Sequence, residues 1–179
     1  PSVIVDDERG AVLGVQHLLD SGRRRIGYLA GPRTSQSGQR RERGFRRALG
    51  EAGLPPAPQQ IIRCEPMLEG GRRGATAGVG AVPGLDALLC YNDLVAVGAL
   101  QALRLLGCAV PDDIAVIGFD DILLAGLVTP ALTTLRSDQR RLGATALNLL
   151  LDHIDGCADA CHDALIEPEL VVRASAPRT

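Results

Sequence analysis

The chain has 179 residues, 46% of them hydrophobic and 22% charged, which is ordinary for a globular protein and long enough to bury a substantial core. No apolar run approaches the roughly 20 residues that span a bilayer, which argues against membrane insertion. The formal charge of -2 offers no excess of Lys and Arg to displace counterions from phosphates, so any contact with DNA would have to come from elsewhere.

From Pro1, with no Met, the sequence runs directly into the short apolar stretch Val3–Val5 and reads as a fragment of a longer polypeptide. Asp6 and Asp7 follow as potential caps of a helix carrying Val12, Val15, Leu18 and Leu19 on one face and closed by Gly22. A second strand is expected at Ile26–Ala30, ending in Gly31-Pro32. A helix over 37–52 places Phe45, Ala48, Leu49 and Ala52 together and stops at Gly53 and Pro55-Pro56. Strands at 61–64, 85–91 and 114–119 alternate with a glycine-rich helix over 69–82 and an apolar helix over 93–106. Repeated βα units of this kind imply a parallel sheet with right-handed crossovers and helices on both faces. Beyond Thr133 the pattern shifts to a long helix over 138–154, then two short runs at 165–166 and 170–173, split by Pro168.

In an open α/β sheet a ligand sits outside the carboxyl ends of the strands, where helix N-termini offer free N–H groups. Asp6, Ser35, Ser37, Asn92, Asp120 and Asp121 stand at those ends, and their oxygens and amide suit a polar, hydroxyl-rich small molecule. Taken singly each is equally at home as a helix cap or turn residue. Gathered at one edge of one sheet, they point to a site.

Arg41 lies four residues before Phe45 and therefore on the apolar face of its helix, while Arg40, Arg43 and Arg47 fall on a face expected to be solvated. An inward guanidinium needs a carboxylate, for which Asp120 is a candidate, or a ligand it can hold bidentately. Arg41→Ala is expected to abolish ligand binding and spare the fold. The helix over 93–106 has only Gln101 and Arg104 as polar positions after Asp93. One face suffices to pack on a sheet, so its second face is expected either to meet another chain or to lie under another part of this one.

No G-x-G-x-x-G follows a strand, the glycines from Gly70 to Gly80 do not form one, and no phosphate-binding G-x-x-x-x-G-K-[ST] loop occurs. Neither a G-x-S-x-G elbow nor a strand-end His is present, so no catalytic residues and no cofactor are expected. His153, Cys157, Cys161 and His162 could share a helix face as metal ligands, but Gly156 would end that helix first, and no metal is expected. Five cysteines, an odd number, with Cys90 and Cys108 in apolar surroundings, suit reduced thiols and a cytoplasmic location.

Taken in order, VIVD at 3–6 leading to Arg9-Gly10, RIGYLAGP at 25–32, RERGF at 41–45, LEGG at 68–71, YNDLVAVG at 91–98, IAVIGFDD at 114–121, TPALTT at 129–134 and ELVVR at 169–173 resemble the LacI/GalR family of bacterial transcription regulators. The resemblance covers essentially the whole chain. It implies an α/β fold of the periplasmic-binding-protein-like type I, two subdomains joined by three crossing strands, with a small-molecule effector in the cleft between them. The C-terminal subdomain would comprise 6–136 and 168–179, and 1–5 with 137–167 would be part of the N-terminal subdomain. The helix-turn-helix that reads operator DNA would precede Pro1.

Carried over residue by residue, the family's effector contacts fall on Arg41, Asn92 and Asp120, with Phe119 beside them and Ser35 and Ser37 on the loop before Arg41. Pro66 stands where the family commonly has an aromatic ring that stacks on a sugar, and Ser137 where a larger polar side chain is usual. The helix from Asp93 is similar to the one that forms the family's homodimer interface, which implies contacts at Leu94, Val97, Gln101 and Val128. The reading implied is the effector-binding, dimerising module of a repressor, controlling DNA binding allosterically and without catalysis. The alternative kept beside it is a periplasmic solute-binding protein for sugar transport.

Overall fold

The computed structural model describes residues 2–155 and 163–178. In chain order its elements are β1 (Val3–Val5), α1 (Asp7–Asp20), β2 (Ile26–Ala30), α2 (Gln36–Glu51), β3 (Ile61–Arg63), α3 (Leu68–Ala81), β4 (Ala87–Cys90), α4 (Asp93–Leu105), β5 (Ala115–Phe119), α5 (Leu123–Leu127), β6 (Thr133–Arg136), α6 (Gln139–Ile154), β7 (Ala164–Ile166) and β8 (Glu169–Val171). Six strands form one sheet in the order β3-β2-β4-β5-β6-β8, parallel throughout except for the antiparallel β6–β8 pair. β1 and β7 pair with each other in parallel and carry α6 against them. This is the expected α/β architecture with a mainly parallel sheet.

The central strands are apolar along their whole length because both faces of the sheet are covered. Ile26, Tyr28, Ala87, Leu89, Ala115 and Ile117 face α1 and α2, where they meet Val12, Val15, Leu18, Phe45 and Leu49. Their neighbours Leu29, Leu88, Cys90 and Val116 point the other way, onto Ala75, Val95, Ala99 and Leu103 of α3 and α4. Strand periodicity thus sorts adjacent residues into two separate cores.

The chain crosses between the small and large sheets three times: from β1 into α1, from β6 into α6, and from β7 into β8. At the first crossing the Asp6 amide donates to the Ile166 carbonyl at 2.9 Å. Residues beyond β8 return to the large sheet, where Ser175 is fully buried. Its hydroxyl accepts from the Thr133 amide at 2.8 Å and donates to the Val116 carbonyl at 2.6 Å.

Several boundaries differ from those expected. β4 begins at Ala87, not 85; just before it the Asp86 carboxylate accepts from the amides of Arg24 at 2.8 Å and Arg25 at 3.0 Å. β6 is a strand that periodicity did not announce. Its threonines look like surface residues, yet both are buried: the Thr133 hydroxyl donates to the Arg173 carbonyl at 2.9 Å and the Thr134 hydroxyl to Asp93 at 2.6 Å. The single turn of α5 also went unread. The glycine-rich segment is helical because α3 and α4 pack backbone to backbone: a Cβ on Gly71 would lie 2.0 Å from the Val95 carbonyl oxygen, and one on Gly98 would lie 1.9 Å from that of Leu68. That packing also accounts for most of the apolar surplus on α4, since Val97 and Leu100 are buried within the single chain.

Candidate effector site

Four strand ends converge at one edge of the large sheet and its junction with the small one. Asp6 accepts from the Arg9 amide at 2.9 Å and caps α1; Ser35 accepts from the Gly38 amide at 3.1 Å and caps α2; Asn92 accepts from the Val95 amide at 2.9 Å and caps α4. These three serve the local role that their residue types favour. The Asn92 amide nitrogen also donates to the Pro66 carbonyl at 3.1 Å, tying the predicted Pro66 position to the rim of α4. Ser35 Oγ lies 2.9 Å from Ser37 Oγ and 3.1 Å from the Tyr91 hydroxyl, so the two serines form a short polar chain with a tyrosine.

Arg41 is the centre of the arrangement. It is 8% exposed, its Nε donates to Asp7 Oδ1 at 2.8 Å, and its Nη1 donates to the Tyr91 carbonyl. The guanidinium carbon lies 3.6 Å from the centre of the Phe119 ring and 5.2 Å from that of Tyr91. Cation–π contact with both rings and two fixed hydrogen bonds lock the side chain in place. Nη2 stands 3.5 Å from Asp120 Oδ1, a loose contact that leaves N–H donors on that edge for a third party.

The inward placement of Arg41 beside Phe119 and Asp120 agrees with the sequence, but its main partner does not. Asp7, expected only as a cap, is 2% exposed and accepts from Arg41 and, at 2.9 Å, from Arg40. Arg40 is therefore corrected from a solvated residue to a half-buried member of an ion cluster with Asp7 and Arg41. The signal was available: Asp6 alone suffices to cap α1, and the second acid of the pair falls one position inside a buried helix start. Tyr91 was missed as a site residue too, because an aromatic at a strand end reads as core. Arg43 and Arg47 do lie exposed, each paired with Glu8.

Asp120 and Asp121 occupy left-handed backbone, at φ 112° and 55°. Burial pushes the Asp120 carboxyl above its ordinary value, with Arg41 working against that shift and Asp7 adding to it. For Asp121 burial is outweighed by bonds from Arg136 and Arg173, which hold the carboxyl below the usual range; the contacts measure 2.6 Å and 2.7 Å. A cavity of about 520 Å³ opens between the two sheets here, with Asp120, Ser137, Gln139, Arg140 and Glu167 on its walls. Ser137 is buried and its hydroxyl accepts from the Gln139 side-chain nitrogen Nε2 at 2.8 Å. Of the predicted residues, Asp120 and Ser137 line this cavity, whereas Arg41 stands against Phe119 and Asp120, Ser35 against Ser37 and Asn92 against Pro66, outside its walls.

Of the positions expected at a dimer interface, Leu94 and Val128 are half-buried, Val97 is buried and Gln101 is exposed. His153 is exposed near the end of α6, whereas Cys157, Cys161 and His162 lie outside the described residues. Among the described residues no group of three His, Cys, Asp or Glu side chains is placed to hold a metal ion, and no helix is long and apolar enough to cross a membrane.

A fold of two sheets crossed three times by the chain, with a polar cavity between them, defines a periplasmic-binding-protein-like domain. The family model described as "Periplasmic binding protein-like domain" matches residues 15–176, and the chain belongs to the LacI/GalR family of regulators within that class. It is 33% identical over 171 residues to the HTH-type transcriptional repressor PurR of Photobacterium profundum, covering 94% of this chain and 50% of that protein. It is 35% identical over 173 residues to the HTH-type transcriptional regulator GalR of Salmonella typhimurium, covering 97% and 51%. The solved complex of the transcriptional regulator CelR with cellobiose superposes with a TM-score of 0.92 at 31% identity, over 97% of this chain and 53% of that one. The chain therefore spans about half the length of the curated relatives it matches.

Proposed function

We propose that this chain is the effector-binding and dimerising part of a transcriptional repressor that acts in the cytoplasm. A small polar ligand, of the neutral sugar class, enters the cavity between the two sheets. Its occupancy shifts their relative placement and so the presentation of DNA-reading domains carried elsewhere in the longer protein. The observation that carries this reading is Arg41: clamped by Asp7, Tyr91 and Phe119, it offers its remaining N–H donors beside Asp120 at the strand-end edge. A donor set facing an acceptor carboxylate suits vicinal hydroxyls, which both accept and donate. The cavity walls carry Asp120, Asp121, Asp138, Glu167 and Glu169 against Arg136, Arg140 and Arg141, an acidic excess that favours a neutral ligand over an anion. The cellobiose bound to the CelR relative is of the same chemical class. A non-catalytic role, and a regulator in preference to a transport protein, agree with relatives that are transcriptional regulators.

The test is a thermal-shift screen of the full regulator against neutral sugars including cellobiose, purine bases and sugar acids. A ligand at a hundred times its Kd stabilises the native state by about 2.7 kcal/mol. A neutral sugar is expected to raise Tm in the wild type and not in Arg41→Ala. A rise only with purine bases or sugar acids would overturn the sugar assignment, and an undiminished rise in the variant would remove Arg41 from the site.

A further inference from the structure

We infer that Asp93 is the positioning residue for the Asp120–Asp121 corner, holding Asp120 where it faces Arg41. The inference rests on the reading that Asp120 faces the effector. Asp93 is completely buried, and the capping of α4 is already carried out by Asn92. Its carboxylate reaches away from α4 in two directions: Oδ1 accepts from the Thr134 hydroxyl at 2.6 Å and Oδ2 from the Ile122 amide at 2.9 Å. The strand it passes makes room for it, since a Cβ on Gly118 would stand 2.1 Å from Oδ1. One side chain thus links α4 to β6 and to the first residue after the corner.

The corner needs such a hold because two consecutive side-chain-bearing residues adopt left-handed backbone, which sterics disfavour. It is fixed at three places. The Asp120 amide donates to the Leu135 carbonyl at 2.7 Å, the Asp121 carboxylate takes Arg136 and Arg173, and Ile122 is anchored from beneath by Asp93. The first two fasten the corner to β6 and to the segment after β8; only the third ties it to α4, whose N-terminal cap carries Asn92 and, through it, Pro66. Burial pushes the Asp93 carboxyl up to about 6, with the Thr134 and Ile122 bonds pulling it back and Asp120 and Asp121 adding to the rise. Protonation leaves the anchor in place, because the Thr134 hydroxyl can turn to accept while Oδ2 keeps the Ile122 amide. Asparagine can imitate that form, with its amide nitrogen toward Thr134.

The experiment follows two NMR readouts in this chain: amide exchange at Ile122 and the carboxyl titration of Asp120. In Asp93→Ala, Ile122 is expected to exchange at least about tenfold faster without a matching change in the central strands, and Asp120, freed toward solvent, to titrate in the ordinary carboxylate range. Asp93→Asn is expected to keep both at wild-type values. A folded Asp93→Ala with both readouts unchanged overturns the assignment, as does an Asp93→Asn that behaves like the alanine variant. Should Asp93→Ala not fold, Asp93→Ser, whose hydroxyl is too short to reach Ile122, is scored by the same criteria. Neither readout involves a ligand, so failure of the sugar assignment leaves this result standing.

Discussion

A buried guanidinium reports on its partners as much as on a ligand. Because Asp7 is buried and shared between Arg40 and Arg41, truncating Arg41 leaves a carboxylate with half its compensation, and removing one member of a buried pair costs roughly 3 kcal/mol or more. The sequence-based expectation that Arg41→Ala spares the fold is thus revised: its unfolding midpoint should fall together with its binding, and binding should be measured below that midpoint. Tyr28 presents the opposite case. It is fully buried, stacks on Phe45 at 5.3 Å between ring centres, and its hydroxyl has no hydrogen-bond partner among the described residues. Tyr28→Phe should be neutral or stabilising by up to about 1 kcal/mol at pH 7. Burial raises the Tyr28 ionisation above its ordinary value, so the unfolded chain loses its phenolic proton first. The wild type therefore holds this contribution below pH of about 10 and loses it as pH climbs further. Urea unfolding at pH 8 and at pH 10.5 should show the advantage of the phenylalanine variant widening; a constant difference would contradict it.

At the level of elements, what could be read from sequence was whatever hydrophobic periodicity dictates. β2, β5, α1, α2 and α4 lie within a residue or two of their expected limits, since their apolar residues alone determine which faces are covered. β6 escaped because its inward side chains are hydroxyls satisfied by Asp93 and by the returning tail, partners far away in sequence. Within the site, Arg41 and Asp120 were legible from position, whereas Asp7, Tyr91 and Asp93 were not, because their roles depend on contacts between elements that no local spacing encodes. α3 shows why a poor helix former can be the right residue: its intrinsic glycine penalty is offset by the close α4 approach that Gly71 permits. Gly98→Ala should therefore destabilise the fold by roughly 1–3 kcal/mol, the scale of overpacking. Gly80→Ala, at a position of α3 with open space around it, should stabilise it by up to about 1 kcal/mol. Thermal unfolding of the two variants tests the pair, and equal effects would refute the close-packing account.

At the scale of the whole molecule, α4 is largely satisfied inside the chain, so the proposed dimer depends on what still faces outward. Leu94 and Val128 are half-buried, and Leu123 and Leu127 on the adjoining α5 are 82% and 69% exposed. A charged residue at Leu94 meets solvent in a monomer but would be desolvated in a dimer. Sedimentation of the full regulator should give a dimer at micromolar concentration and a monomer for Leu94→Glu; an unchanged dimer in the variant would place the interface elsewhere. The tail that threads back to the large sheet has a consequence for the order of events during synthesis. His17 in the first helix bonds at 2.8 Å to the carbonyl of Ala176, 159 positions later, and Thr133 waits for Ser175 in the same way. At ribosomal speeds of about 5–20 residues per second, the early half of the sheet must stand for on the order of ten seconds with that groove unfilled. The nascent protein thus passes through a stage in which most of its helices can form but their final closure cannot, an interval in which a chaperone would find apolar surface to hold.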